Sequence, residues 1–425
     1  MQKFVITGGV PLSGEVRIAG AKNAVLKQMA AAVLTDELCT LRNVPKISDV
    51  SILREVMGDI GFEVRRTNGD GLELRAAEVT WPFVPLEAGI KMRASFILLG
   101  PMLARFGRLI LPNPGGDRIG RRPVDFHVAA MEAMGATIDY RNGYYFASAP
   151  PDGLRGAHIE FPTVTVMGTE NAMMAATLAH GTTVIDNAAL EPEVDDLIAM
   201  LCAMGAQIQR TAERRIEVQG VERMGGADHR VMGDRLEAET FAIAAAITRG
   251  DVTLTGINPA HVGAFLEVCD HMGVAWEANA TGDSIVIRGA GGGELRAVDV
   301  RTDTYPGFAT DFQAPLSVLL TQAVGSSTIH ETIFEDRLDH TRQLVKMGAD
   351  IELLDERRAR ITGPTALRGA EVAIADLRAG ATLILAALAA TGTSVISGIE
   401  HVDRGYEQIE TKLVALGAQI NRIEA

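Results

Sequence analysis

One short phrase recurs along this 425-residue chain: an apolar stretch, often ending in Met, then Gly, then an alternating tail. It stands as "VMGDIGFEV", "MEAMGATIDY", "LCAMGAQIQR", "CDHMGVAWE", "LVKMGADIEL" and "LVALGAQINR". The glycines are Gly61, Gly135, Gly205, Gly273, Gly348 and Gly417, about 70 residues apart, the mark of a repeat architecture. A helix that ends on glycine and turns into a strand explains the phrase, because glycine tolerates the left-handed position just past a helix.

A second phrase is interleaved with the first. It has a polar start and then an Ala-rich apolar run: "GAKNAVLKQMAAAVL", "KMRASFILLGPMLARFG", "GTENAMMAATLAHG", "DRLEAETFAIAAAITRG", "TDFQAPLSVLLTQAVG" and "DLRAGATLILAALAATG". Small apolar residues on every side mean a helix buried all round. Each unit is thus expected to run buried helix, strand, outer helix, strand. Three units would wrap three buried helices in a shell of sheets, and six would make two such domains, with a seam near 225–234.

Composition narrows the function. The net charge of −14 disfavours general nucleic-acid binding, so a positive field for an anion must be local. The first residues alternate like a strand and lack the pattern of a signal peptide. The longest apolar runs, such as "LILAALAA", are too short to span a membrane. Cys39, Cys202 and Cys269 allow no full disulfide set, suit a reducing compartment, and are expected to be buried and structural. A cytoplasmic location is expected. The histidines lack ligand spacing, so no metal site is expected, and no dinucleotide or Walker fingerprint is present.

The buried helices open on Lys22 and Asn23, Arg93, Thr169 to Asn171, Asp234 and Arg235, Asp311, and Asp376 with Arg378. Helix N-termini carry partial positive charge and free N–H groups, so several converging ends would make an anion site. Lys22 there is unfavourable unless an anion compensates. Asp311, Asp234 and Asp376 are each either N-caps or general bases. Arg122, Arg337 and Arg404 occupy comparable loops before outer helices, and guanidinium forks suit a multiply charged small anion. The stretch "NPGGDRIGRRPVDFH" sets Asp117 in a basic, glycine-bearing loop, as either a turn residue or a proton carrier.

The segments "AGAKNA", "RPVDFH", "TENAMMAATLA", "EPEVDDL", "YPGFATDFQA", "ETIFEDR" and "HVDRGYEQIETKLVALGA" together resemble the UDP-N-acetylglucosamine enolpyruvyl transferase family along the whole chain. The resemblance implies a two-domain inside-out α/β barrel of six βαβαββ repeats, three per domain. One domain would span 21–231 with a mobile loop at about 112–123, the other 1–20 plus 232–425, with the active site in the cleft between them. It implies transfer of the enolpyruvyl group of phosphoenolpyruvate to the 3-hydroxyl of UDP-N-acetylglucosamine, the first committed step of peptidoglycan precursor synthesis. No cofactor, nucleic acid, membrane insertion or protein partner is implied.

By the same resemblance Lys22, Asn23, Arg122, Arg337 and Arg404 match positions around phosphoenolpyruvate. Asn23, Arg93, Arg122, Pro123, Val124, Asp125, Phe126, Thr163, Thr165, Val166, Asp311 and Ile333 match contacts to the nucleotide sugar. The catalytic set would be Asp117, Asp311, Lys22 and Arg404, while Asp376 and Arg378 match positions at the domain interface. Most members carry a cysteine, alkylated by fosfomycin, where Asp117 stands, and the aspartate-bearing minority resist the drug. Thr163 stands where the family has a diphosphate-facing lysine, and Met167 where it has glycine. An alternative reading is the same chemistry on another nucleotide sugar, or a weakly catalytic binding protein.

Overall fold

All six phrase-closing glycines have positive φ, from +85° at Gly273 to +116° at Gly61, so each outer helix ends as the phrase requires. These observations come from a computed structural model that describes residues 2–76, 79, 81–90, 92–115, 120, 123–289 and 293–424. After each glycine the chain forms two strands or one, not always one. In the first five repeats the outer helix leads into a hairpin, such as Glu63–Arg66 with Leu72–Arg75. Only the last outer helix, Ile409–Ala415, leads into a single strand, Gln419–Glu424.

The six sheets share one plan: an edge strand parallel to a central strand, then an antiparallel pair. Asp251–Thr255, for example, pairs in parallel with Ser13–Arg17 and antiparallel with Ser284–Arg288. Besides Ser13–Arg17, two more strands come from far along the chain. Gln2–Thr7 fills the slot between Thr393–Ser397 and Gln419–Glu424 that a hairpin strand takes elsewhere. Asp228–Arg230 returns to pair with Cys39–Arg42. The last three repeats therefore close on strands from the start of the chain, and the first three on a strand from the end of their own run. In the second repeat the edge strand shrinks to a single bridge, Phe83 to Ile110.

Leaving aside 117–121, the chain divides into two compact units, 1–19 with 233–425 and 20–116 with 122–232. Each has its own apolar core. In the first, the helices Arg235–Ile247, Thr310–Leu320 and Leu377–Ala389 pack pairwise on one another inside the sheets. Arg235–Ile247 is buried along its whole length, as its Ala-rich run predicts. In the second, Lys22–Ala31 and Val166–Ala176 are the corresponding inner helices.

The third inner segment of that unit is broken, contrary to the single helix expected. Arg93–Leu98 is 3-10 and Leu99–Phe106 is α. The cause is a side chain in the ladder. Asn171 Oδ1 accepts from Gly100 N at 2.6 Å while its Nδ2 donates to Phe96 O at 3.1 Å, separating an i, i−4 pair. A Cβ on Gly100 would lie 2.3 Å from Asn171 O, so glycine is required for this approach. Cys39 and Cys269 are buried as expected, whereas Cys202 is exposed because it lies on the outer face of Pro192–Ala203.

Candidate functional site

In the unit holding 233–425, three inner helices bring their first turns to one cluster. Asp234 and Asp376 are caps: Asp234 Oδ1 accepts from Leu236 N and Glu237 N, and Asp376 Oδ1 from Arg378 N and Ala379 N. Asp311 is not. It sits one residue inside Thr310–Leu320, whose N-cap is Ala309, so the capping alternative fails there. Its Oδ1 instead accepts from Arg337 Nη2 and, at 3.2 Å, from Arg378 Nε.

The charges around Asp311 decide its state. Burial pushes its carboxyl up, but Arg337, Arg378 and Arg235 together outweigh that and hold it well below the usual carboxylate range. The arginine side chains are 7% and 11% exposed for Arg337 and Arg378, against 27% for Asp311, so the carboxylate is the open member. Arg378 also donates to Tyr406 OH at 3.3 Å, and that hydroxyl shares a 2.9 Å bond with Thr240. Burial pushes the Tyr406 phenol up to about 12, so it stays a neutral hydroxyl. Arg235 lies 5.7 Å from the ring centres of Tyr305 and Phe312. Glu239, on the same helix, is buried, and desolvation raises its carboxyl well above the usual range against the pull of Arg378.

Ile333 is half-buried in the turn after Gly325–His330, with its N donating to Glu331 Oε1 at 2.7 Å. Arg404 ends the 3-10 turn Ile399–Arg404. Its neighbour Asp403 is held bidentately by Arg422, at 2.7 and 2.9 Å. Arg422 also bonds Glu410 at 2.7 Å and covers the Phe4 ring, fixing the turn that presents Arg404 against the first and last strands.

In the other unit, Lys22 opens its helix and finds the compensating anion in Asp49, at 2.8 Å. Asn23 contributes its carbonyl oxygen to Lys27 Nζ at 2.5 Å. Arg93 Nη2 donates to Pro123 O at 3.0 Å, bracing the segment where Val124 precedes and Asp125 opens the helix Asp125–Ala133. Phe126 packs edge-on against Phe161 at 6.4 Å. Thr165 caps Val166–Ala176 through Gly168 N, while Thr163 is exposed just before it. Asp117 and Arg122 lie outside the described residues.

Several charged groups of these sites have no place among the expected residues. Lys27 meets the fully buried Glu170 at 3.5 Å, and burial lifts that carboxyl to about 8, with Lys27 opposing and Glu193 and Glu191 assisting. Glu331 and Thr310 frame Asp311 and Arg337. The available signal was a charge set within an otherwise apolar helix or flanking a candidate. His127 accompanies Asn171 at 3.0 Å and is held neutral, its pKa lowered to about 3 by burial and then by Arg93. Among the described residues no group of His, Cys, Asp and Glu could hold a metal ion, and no helix is long and apolar enough to cross a membrane.

The EPSP synthase (3-phosphoshikimate 1-carboxyvinyltransferase) family matches residues 6–413. Two proteins named UDP-N-acetylglucosamine 1-carboxyvinyltransferase are similar end to end. That of Solibacter usitatus is 47% identical over 425 residues, and that of Cereibacter sphaeroides 48% over 424, each pair covered completely. Among solved structures, the enolpyruvyl transferase NikO from Streptomyces tendae shares the fold with a TM-score of 0.87 at 23% identity, over 100% of this chain and 99% of that one. An EPSP synthase from Acinetobacter baumannii does so at 0.80 and 19%, covering both chains fully. Sheets, inner helices and sequence agree, and the chain belongs to the 1-carboxyvinyltransferase family, among the UDP-N-acetylglucosamine 1-carboxyvinyltransferases.

Proposed function

We propose that this chain transfers the enolpyruvyl group of phosphoenolpyruvate to the 3-hydroxyl of UDP-N-acetylglucosamine, releasing phosphate, as a step of peptidoglycan precursor synthesis. The observation that carries the reading is the Asp311 constellation: a partly open carboxylate at a helix start, held on one oxygen by two nearly buried guanidiniums. The chemistry is addition and then elimination. The sugar oxygen bonds to C2 of phosphoenolpyruvate as its proton leaves, and the methylene carbon gains a proton. The ketal then loses phosphate as the methyl carbon gives a proton back.

Asp311 so held is a weak base, because Arg337 and Arg378 stabilise its anion. Phosphoenolpyruvate brings a phosphate and a carboxylate that compete for the same guanidinium forks. As the arginines turn to the ligand, the hold on Asp311 loosens, its proton affinity rises, and it takes the hydroxyl proton. Lys22 exchanges Asp49 for ligand charge in the same way, with Arg404 as a further cation. Asp117 supplies the proton to the methylene carbon, and Arg122 and Asn23 complete the anion and sugar contacts.

Thr163 and Met167 bear on the acceptor, since Thr163 brings no cation to a diphosphate. Phosphate release from phosphoenolpyruvate, measured with a panel of nucleotide sugars, tests the reading. Release with UDP-N-acetylglucosamine is expected. Silence with it and release with another sugar would move the function to that acceptor, and binding without release across the panel would remove catalysis.

A further inference from the structure

Glu331 is fully buried at the end of the strand Gly325–His330, and both of its oxygens are occupied. Oε1 accepts from Ile333 N at 2.7 Å, Phe334 N at 3.0 Å and Thr302 Oγ1 at 3.1 Å. Oε2 accepts from Thr310 Oγ1 at 2.7 Å. The two backbone donors fix the turn that carries Ile333. Thr302 is itself pinned, since its hydroxyl accepts from Thr332 N at 2.8 Å, so the turn is tied to the neighbouring edge strand.

The fourth bond reaches the reacting groups. Thr310 Oγ1 accepts from Arg337 Nη1 at 3.2 Å, and a hydroxyl that accepts from a guanidinium must aim its own hydrogen elsewhere. That hydrogen points at Glu331 Oε2. The result is a directed chain, from Arg337 through Thr310 to Glu331, while the other face of the same guanidinium holds Asp311. Chains of this kind polarise each bond along their length when buried.

We propose that Glu331 is a positioning residue that, through Thr310, sets the direction of the Arg337 guanidinium toward Asp311 while holding the Ile333 turn against the nucleotide sugar. This rests on the enolpyruvyl-transfer reading above. Glu331 touches no substrate. It acts on turnover through Thr310 and on sugar binding through the two backbone bonds, so the two effects are separable. Thr310→Val cuts the relay and leaves the turn bonds in place. Thr310→Ser keeps the hydroxyl. Glu331→Gln puts an amide nitrogen opposite Thr310, so the hydroxyl can no longer donate there.

The experiment is steady-state phosphate release with phosphoenolpyruvate and UDP-N-acetylglucosamine, with UDP-N-acetylglucosamine binding by calorimetry and the Tm recorded for every protein. T310V is expected to lower kcat about tenfold with KM for the sugar within about twofold, and T310S to restore kcat within about twofold. E331Q, whose amide oxygen keeps the two turn bonds, is expected to lower kcat comparably with sugar binding within about twofold, and E331A, which removes those bonds as well, to weaken sugar binding about tenfold. Wild-type kcat in folded T310V, or no rescue by T310S, would overturn the relay. E331A that loses Tm while kcat and sugar binding stay at wild-type values would reduce Glu331 to a structural role. An inactive wild type would refute the enolpyruvyl-transfer reading instead, and calorimetry would still decide whether Glu331 shapes the sugar site.

Discussion

Asp311 in one unit and Glu170 in the other are both carboxyls on inner helices, yet their surroundings drive them in opposite directions. Asp311 shares its space with Arg337, Arg378 and Arg235, and these outweigh burial. Glu170 has one lysine, Lys27, against burial and two further glutamates, Glu191 and Glu193, and burial wins. The fold is the same in both units, so the fold does not set the charge state. What decides it is how many guanidiniums the neighbouring helix starts and loops deliver, and whether they can bond the oxygen directly. Arg337 and Arg378 do. Lys27 stands 3.5 Å from Glu170.

The same change, carboxyl to amide, should therefore have opposite consequences at the two sites. Asp311→Asn removes the counter-charge of two nearly buried guanidiniums. A buried pair broken on one side costs about 3–5 kcal/mol, and the 27% exposure of Asp311 and the retained amide oxygen bring the expected loss to about 2–3 kcal/mol at pH 7. Turnover should fall about 100- to 10,000-fold, as for loss of a positioned base. Phosphate release and thermal unfolding check both. An amide variant with wild-type turnover would remove Asp311 from the proton path.

Glu170→Gln tests the other side. A carboxyl raised from 4.5 to about 8 binds more protons folded than unfolded between those values, so its contribution to stability is present at low pH and is lost as pH rises to about 8. The amide carries no such dependence. The variant should match wild type near pH 5 and become the more stable of the two by pH 8, by on the order of 3 kcal/mol. Asp311 has the reverse linkage, its contribution being present above the ordinary carboxylate pKa and lost only in stronger acid. A difference between E170Q and wild type that stays constant from pH 5 to pH 8 would mean that Glu170 is ionised throughout.

The parts of this arrangement legible in the sequence are those with local causes. The left-handed glycines follow from the helix-to-strand turn itself, and the burial of Arg235–Ile247 from its Ala-rich run. The strand swaps are not local. Gln2–Thr7 is recognisable as a strand, but its place beside Thr393–Ser397 depends on closing a ring hundreds of residues long. The break at Gly100 was hidden for the same reason, since Asn171 lies 71 residues away. Asp311 could be singled out by its position, and its partners could not be paired with it, lying 26 and 67 residues on. Glu331 stood inside a quoted motif, and only its four bonds give it a task.

The smallest expected effect separates the two units at their helix caps. Asp376 caps Leu377–Ala389 with an ionised oxygen that takes two N–H donors, at 2.9 and 3.0 Å. Thr165 caps Val166–Ala176 with a neutral hydroxyl and one bond, at 3.2 Å. A carboxylate also gains from the positive end of the helix, which a hydroxyl does not. Asp376→Ala should cost about 1–2 kcal/mol and Thr165→Ala about 0.5 kcal/mol, read as shifts in denaturant midpoint. Asp376→Ala should also slow phosphate release at saturating nucleotide sugar, because one of the two freed donors is the backbone N–H of Arg378, whose side chain grips Asp311. Equal losses in stability, or unchanged turnover in D376A, would mean that the Arg378 side chain is held by Tyr406 and Asp311 alone, and that the cap contributes nothing to where the guanidinium stands.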